Sequence, residues 1–482
     1  MADERTSQSG LRQRVARLPL VVRLVILTAL VAVGVLTSKW LMLILLVALG
    51  LWPITLALGF VILAVISIWH GGWSWMKEWL GSRLGGLVIP ALSVFTALLI
   101  GALVMFFTDQ QVYDALSDGG IFEALKVGVG NLLRAYGALY EGAFGNPGDI
   151  IQAIGETIGG EDGLKPLLRA VRGPSDSLVQ SVPYIFAGLA VALGFRAGLF
   201  NIGAEGQIGI GWLAAVFVGY GITTELPAFV HLPLAILVGA VAAGLWAAIA
   251  GILKARTGAH EVITTIMLNY VVYRLSEWLL CGPMEKTVGT CRTPDVAASA
   301  FLPRFLEHPV SIHWGFVLAL VAAVLTGWFL FKTTWGFELR TVGANPDAAR
   351  YSGMSVGKAF VLAMFLSGAL AGLAGVVQGL GITHNIALGF QAGYGFDSIA
   401  LALLGKSHPA GVVAASLLFG GLRAGAARMQ SVAGIPTEIV QIVQALVIVF
   451  IAAPAIIRTV YRMRKPREEE AEVSVFSRGW GA

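Results

Sequence analysis

Long apolar runs, broken at intervals by short polar stretches, dominate this chain. A helix needs about 20 apolar residues to cross the hydrocarbon core of a bilayer. By that measure the candidate spans are 21–38, 40–69, 86–107, 176–195, 204–222, 231–252, 262–281, 313–332, 358–380 and 436–456. Residues 397–428 are also apolar, but Gly405-Lys406-Ser407-His408-Pro409 interrupts them and predicts two short spans meeting at that break. The pattern therefore predicts an all-α fold, a polytopic transmembrane helical bundle of about 12 spans with both termini on one side. Trp52-Pro53 predicts a kink or split in the second span.

Basic residues orient this arrangement. Arg5, Arg12, Arg14 and Arg17 precede the first span, and Arg458, Arg462, Arg464, Lys465 and Arg467 follow the last. Lys254 and Arg256 occupy one short loop, and Lys332, Arg340, Arg350 and Lys358 border another. The span count puts all four groups on one face, which the positive-inside rule makes cytoplasmic. Two outer segments remain. Residues 108–175 are long and mixed in charge and are expected to hold short interfacial helices. Residues 282–312 hold Cys291 and follow Cys281; either the two pair in an oxidising compartment or they are unrelated thiols. The basic start followed by an apolar run resembles a signal peptide, but no small-residue cleavage site follows it, so an uncleaved first span is expected. The charged tail after Arg462 is expected to be disordered.

Composition supports the membrane reading. The chain is 57% hydrophobic and 13% charged, and a water-soluble fold of 482 residues could not hide that much apolar surface. The net charge of +5 fits positive-inside loops better than nucleic-acid binding, so no nucleic-acid partner is expected.

The sequence nominates no catalytic chemistry. The seven histidines are scattered, and His-Glu-x-x-His does not occur. Gly405-Lys406-Ser407 lacks the earlier glycine of a phosphate-binding loop, because position 400 is Ala400, and the preceding Ile399–Leu404 is wholly apolar. The chain is thus read as a non-enzyme with no cofactor of its own, and any ATP-driven motor would be a separate polypeptide.

Polar residues inside apolar surroundings carry the functional signal, because burying them near lipid is costly unless they are paired or wet. In Phe195–Gln207, Arg196, Asn201, Glu205 and Gln207 lie among glycines, either as part of a permeation pathway or as a clasp between helices. Asn269 and Tyr270 are pathway candidates or interhelical hydrogen-bonding groups, and Arg274 and Glu277 share a helix face. Asn385 and Phe396 lie in an outer loop returning to the membrane, where aromatics either stack a planar solute or form an interfacial belt. The cytoplasmic loop 333–357 is the most specific element. Gly336 is expected to end the preceding span, and Asn345-Pro346-Asp347 predicts a short helix capped by Asn345 with Pro346 at its first position, running to Gly353. A capped stub of that kind suits a groove on a cytoplasmic partner better than a plain connector.

Four strings in order, FRAGLFNIGAEGQ (195–207), EVITTIMLNY (261–270), GFELRTVGANPDAARYSGM (336–354) and GYGFDSIALALLG (393–405), resemble the permease subunit of bacterial ABC importers for nucleosides and simple sugars, closest to the nucleoside branch. The resemblance covers 86–456; residues 1–85 form an extension with two spans, and 457–482 a charged cytoplasmic tail. It implies a bacterial cytoplasmic-membrane protein with both termini cytoplasmic, a second permease subunit (homologous, or a copy of this one), an ABC ATPase carrying ATP and Mg, and an extracytoplasmic binding protein or lipoprotein. It also implies a coupling loop matched here by Glu338, Arg340, Gly343, Asn345, Ala348, Ala349 and Gly353. His260 departs from the family's commoner Asn, and Thr341 and Ser352 from its commoner Ala. A sugar permease is the near alternative. An ion-coupled secondary transporter fits less well, because Glu205 and Asp397 lie near predicted span ends rather than at a mid-span ion site.

Overall fold

A computed structural model of the chain describes residues 39–54, 73–160, 163–222 and 226–462. The predicted span 21–38, part of 40–69 and nearly all of the predicted tail lie outside these residues. The described residues are helical, with two isolated β-bridges. In chain order the helices are α1 (Lys39–Gly50), α2 (Trp73–Thr108), α3 (Gln110–Phe144), α4 (Pro147–Gly159), α5 (Lys165–Ala170) and α6 (Arg172–Arg196). Next come α7 (Ala204–Gly221), α8 (Ala228–Thr257), α9 (Glu261–Leu280), α10 (Gly315–Lys332), α11 (Thr334–Ala344) and α12 (Pro346–Tyr351). The last are α13 (Val356–Gln378), α14 (Tyr394–Leu404), α15 (Pro409–Ala433), α16 (Thr437–Ala452) and α17 (Pro454–Val460). Six helices among the described residues are long and apolar enough to cross a membrane, or seven if the bent pair α16–α17 is one span.

Helix α6 is the centre of the bundle. Nearly all of its apolar stretch is buried, including Tyr184 and Phe186, and it is walled by α13, α14, α15 and α10. Lipid tails are as apolar as leucine, so close backbone packing rather than hydrophobicity must join the spans. The sequence supplies small residues where helices meet. Gly211 of α7 faces Gly372 of α13, Gly368 faces Ala243 and Ala247 of α8, and a methyl added at any of these glycines would run into its neighbour.

Three expectations are corrected. The segment 397–428 is not two comparable short spans: α14 has eleven residues, a reach of about 16 Å, whereas α15 has 25 and begins only at Pro409. The Pro at the first turn and the His408 side chain, which accepts from the Ala410 N–H at 3.3 Å, start α15 afresh after the break. Residues 108–175 hold more than short helices: α3 is two helices that meet in a bend at Gly120, whose backbone (φ 77°, ψ −172°) is non-helical, and the second of them runs on to Phe144. Beyond the bend α3 lies on α15, with Gly142 against Gly425 and Glu141 bonded to Arg428 at 2.9 Å. Finally, Gly336 does not end a span. Lys332 ends α10, Thr333 caps α11 by accepting from the Gly336 N–H at 3.0 Å, and Gly336 sits in the first turn, packed against the Phe329–Leu330 backbone.

Just past the end of α9, Cys281 and Cys291 form a disulfide. The strand-like stretch that follows pairs with the chain leaving α13: Thr293 N–H donates to the Ile386 carbonyl at 3.0 Å, Val296 to His384 at 2.8 Å, and Leu388 to Cys291 at 3.0 Å. Asp295 ties this cap together by accepting from Lys286 (2.8 Å), Arg292 (2.9 Å) and Asn385 (3.1 Å).

Candidate functional site: a buried polar network at a broken helix

Tyr184 lies midway along α6 and Arg423 midway along α15, both within apolar sequence. A charge at such a depth must be met by partners. The Arg423 Nη1 donates to the Tyr184 hydroxyl at 2.9 Å, and Arg423 also donates to the Ala392 carbonyl at 3.2 Å. The Tyr184 hydroxyl donates in turn to the Asp397 carboxylate at 2.9 Å. The guanidinium stands 4.4 Å from the Tyr394 ring centroid, a cation–π distance. Tyr394 is fixed by Gln378, which donates to its hydroxyl at 3.0 Å, and by Gln180, which accepts from it at 3.1 Å.

The network sits where α14 begins. The chain from α13 continues through a π-helical turn (Gly379–Thr383) and an irregular stretch to Ala392 and turns at Gly393 (φ 78°), so the first amides of α14 lack helical partners. Glu205, in the first turn of α7, supplies them: its carboxylate accepts from Gly393 N–H at 3.0 Å and Gly395 N–H at 2.6 Å. A carboxylate there also complements the positive end of the helix dipole. Gly395 is required by proximity, since a Cβ would collide with the Glu205 backbone.

The sequence-nominated pathway residues separate into distinct places. Asn201, Gln207 and Asn269 are almost wholly buried and form a clasp. Asn201 Nδ2 donates to Gln207 Oε1 at 2.8 Å and to Ser367 Oγ at 2.9 Å, while Asn269 accepts from Gly206 N–H and donates to the Ile202 carbonyl, both at 2.9 Å. These bonds stitch α7, α9 and α13 together. Tyr270 and Phe396 are exposed, and Asn385 belongs to the disulfide-bonded cap, donating to Asp295. Sequence reasoning passed over Tyr184, Gln378 and Arg423. An arginine inside the apolar run of α15 was the available signal for Arg423; the two others look like ordinary core residues until their partners are known.

The residues of the 333–357 loop lie at the far end of α6. Asn345 caps α12, its Oδ1 accepting from Asp347 and Ala348 N–H at 3.0 Å each. Ala349 is buried, whereas Asn345, Asp347, Ala348, Arg350 and Tyr351 are exposed, so one small-residue contact anchors a stub whose other faces are free of this chain. Gly353 (φ 82°) ends it in the left-handed region. Gly343 lies against the Arg196–Gly198 backbone so closely that neither glycine could carry a Cβ without displacement. Glu338 and Arg340 are half-buried on α11.

Residues 173–452 match the family described as branched-chain amino acid transport system / permease component. The guanosine ABC transporter permease protein NupP of Bacillus subtilis is 40% identical over 382 residues, 78% of this chain and 96% of that protein. The nucleoside ABC transporter permease protein NupB of Lactococcus lactis subsp. cremoris is 36% identical over 308 residues, 62% of this chain and 84% of that one. The glucose ABC transporter permease protein TsgB13 of Haloferax volcanii is 38% identical over 289 residues, 58% of this chain and 76% of that one. No solved structure matches the chain. A multi-pass helical protein with this family's sequence over more than half its length, the chain belongs to the branched-chain amino acid transport system permease-component family and is a membrane transport subunit rather than an enzyme.

Proposed function

We propose that the chain is a permease subunit of an ATP-driven importer for nucleosides in the bacterial cytoplasmic membrane. The observation that carries the substrate class is the 40% identity to a guanosine permease across 96% of its length. The glucose permease at 38% identity keeps simple sugars as the second reading. Uptake of labelled guanosine against labelled glucose and ribose, with the complete set of subunits, separates them. Nucleoside-only uptake supports the proposal, and sugar-only uptake refutes its substrate class.

In this reading the core, 86–456, crosses the membrane with both termini cytoplasmic, and with residues 1–85 the chain makes about 12 spans. A second permease subunit completes the pathway, and an extracytoplasmic binding protein delivers solute above the disulfide-pinned cap. ATP and Mg act on a separate ATPase, and this chain binds neither. The exposed capped stub α12, with Glu338 and Arg340 beside it, is the surface that the ATPase holds. Its closure can drive the bundle only as far as the two conformations differ in their contacts with it. The network around Arg423 and Asp397 would then rearrange as access alternates, because the unwound stretch before α14 is the one place in it where backbone is held by side chains rather than by its own helix. Tyr270 and Phe396, exposed from this chain, are the proposed contacts with solute or with the second subunit.

A further inference from the structure

Arg196, the last residue of α6, reaches across to the turn between α14 and α15. Its Nε donates to the Ser407 carbonyl at 3.0 Å and its Nη2 to the Lys406 carbonyl at 3.1 Å. Both acceptor residues have left-handed backbone, with φ of 51° and 49°, which side-chain-bearing residues rarely adopt in succession. A turn built that way needs outside support, and Arg196 is the charged group that gives it.

The same guanidinium lies 5.8 Å from the Phe331 ring centroid. Arg340 of α11 lies 5.3 Å from that ring, and His408 stacks on it at 5.4 Å. One aromatic ring at the end of α10 thus gathers side chains from α6, α11 and the α14–α15 turn. Beside it the backbones of Gly198 and Gly343 touch. The loop carrying α12 is therefore packed directly on the α6 terminus, and that terminus is bonded to the turn from which α14 and α15 depart. Those two helices carry Asp397 and Arg423 to Tyr184.

We propose that Arg196 is the positioning residue through which movement of the α11–α12 loop reaches the α14–α15 turn, and hence the buried network. This rests on the reading that α12 docks an ATPase. A physical pathway needs coupling data and not adjacency alone, so the test reads coupling. The complete transporter, reconstituted in proteoliposomes, is compared with Arg196→Met and Arg196→Lys for ATPase co-purification, ATP hydrolysis and uptake of radiolabelled guanosine. Methionine keeps a long apolar stem over Phe331 and removes every donor; lysine keeps the charge but not the fork. Arg196→Met is expected to retain the ATPase at the wild-type ratio. The ATP consumed per nucleoside should rise about tenfold, the scale of one lost charge-assisted hydrogen bond. Arg196→Lys should fall between the two. An unchanged ATP-per-nucleoside ratio in Arg196→Met overturns the inference, and so does loss of the ATPase from that variant, which would make Arg196 part of the docking surface. If Arg196→Met does not accumulate, the ratio in Arg196→Lys decides in the same way. A wild-type chain that captures no ATPase sinks the docking reading, and the inference with it, whatever Arg196 does.

Discussion

Glu205 and Gly395 lie 190 residues apart, yet the Glu205 carboxylate accepts the Gly395 amide proton at 2.6 Å, joining the first turns of two helices that both begin inside the bundle. The neighbouring Gly393 amide completes the pair. Glu205→Gln keeps one acceptor oxygen and turns an amide donor toward a second N–H. It is expected to lower folding stability by about 1–3 kcal/mol, the penalty for an unsatisfied buried group. Thermal unfolding of the purified protein in detergent checks this. Gly395→Ala, which forces α7 and α14 apart, should abolish uptake even where protein accumulates.

Tyr184→Phe removes the hydroxyl standing between Arg423 and Asp397 and keeps the ring contacts with Tyr394 and Phe419. Each charged side chain then loses one buried partner, and a stability loss of about 1–3 kcal/mol is expected. Arg423→Met should be worse, because Asp397 and the Ala392 carbonyl are left without the cation; breaking a buried charge cluster costs about 3–5 kcal/mol. Detergent-solubilised yield and the melting midpoint of the three proteins should fall in the order wild type, Tyr184→Phe, Arg423→Met. Equal midpoints would show that the network bears no stabilising load.

Much of this arrangement was legible before any coordinates. The capped stub at Asn345-Pro346 was, because capping is local chemistry within four residues. So was the Arg274–Glu277 pair, which the structure closes at 2.8 Å, because i,i+3 spacing fixes proximity on a helix. The restart at Thr333 was missed because Gly336 resembles a stop signal, although a Thr three residues before it is itself a start signal. The inequality of α14 and α15 could not be read from hydropathy, since apolar content measures burial or lipid contact but not where a helix begins in depth. Tyr184 and Arg423 meet across 239 residues, and no local rule specifies such a pairing.

The disulfide-bonded cap should respond to acid in a defined direction. Hydrogen bonding from Lys286, with help from Arg292, holds the Asp295 carboxyl below the usual carboxylate range. A depressed folded value means that the ionised carboxylate stabilises the cap above the ordinary aspartate range and that this contribution disappears as pH falls through the lower folded value. The cap should therefore resist protease equally at pH 7 and pH 6. Asp295→Asn should be cut faster at both; a variant as resistant as wild type would remove Asp295 from the account.

Changes in the 333–357 loop should separate the proposed docking from insertion. Gly353→Trp places a side chain at φ 82°, where left-handed backbone costs about 1–2 kcal/mol for a residue with a Cβ, and adds bulk beside the exposed stub. Glu338→Lys reverses a charge on α11. Both variants should insert at wild-type levels and lose ATPase on co-purification. Wild-type recovery of ATPase with either one would move the docking surface elsewhere.

The exposed ring of Tyr351, 97% accessible at the end of α12, offers the most direct test. Both native cysteines are held in the disulfide, so Tyr351→Cys supplies a single reactive thiol. A membrane-impermeant maleimide should label it in inside-out vesicles stripped of ATPase, spare it in intact cells, and be blocked when the ATPase is restored. Labelling from the outside of intact cells would contradict the account at its base.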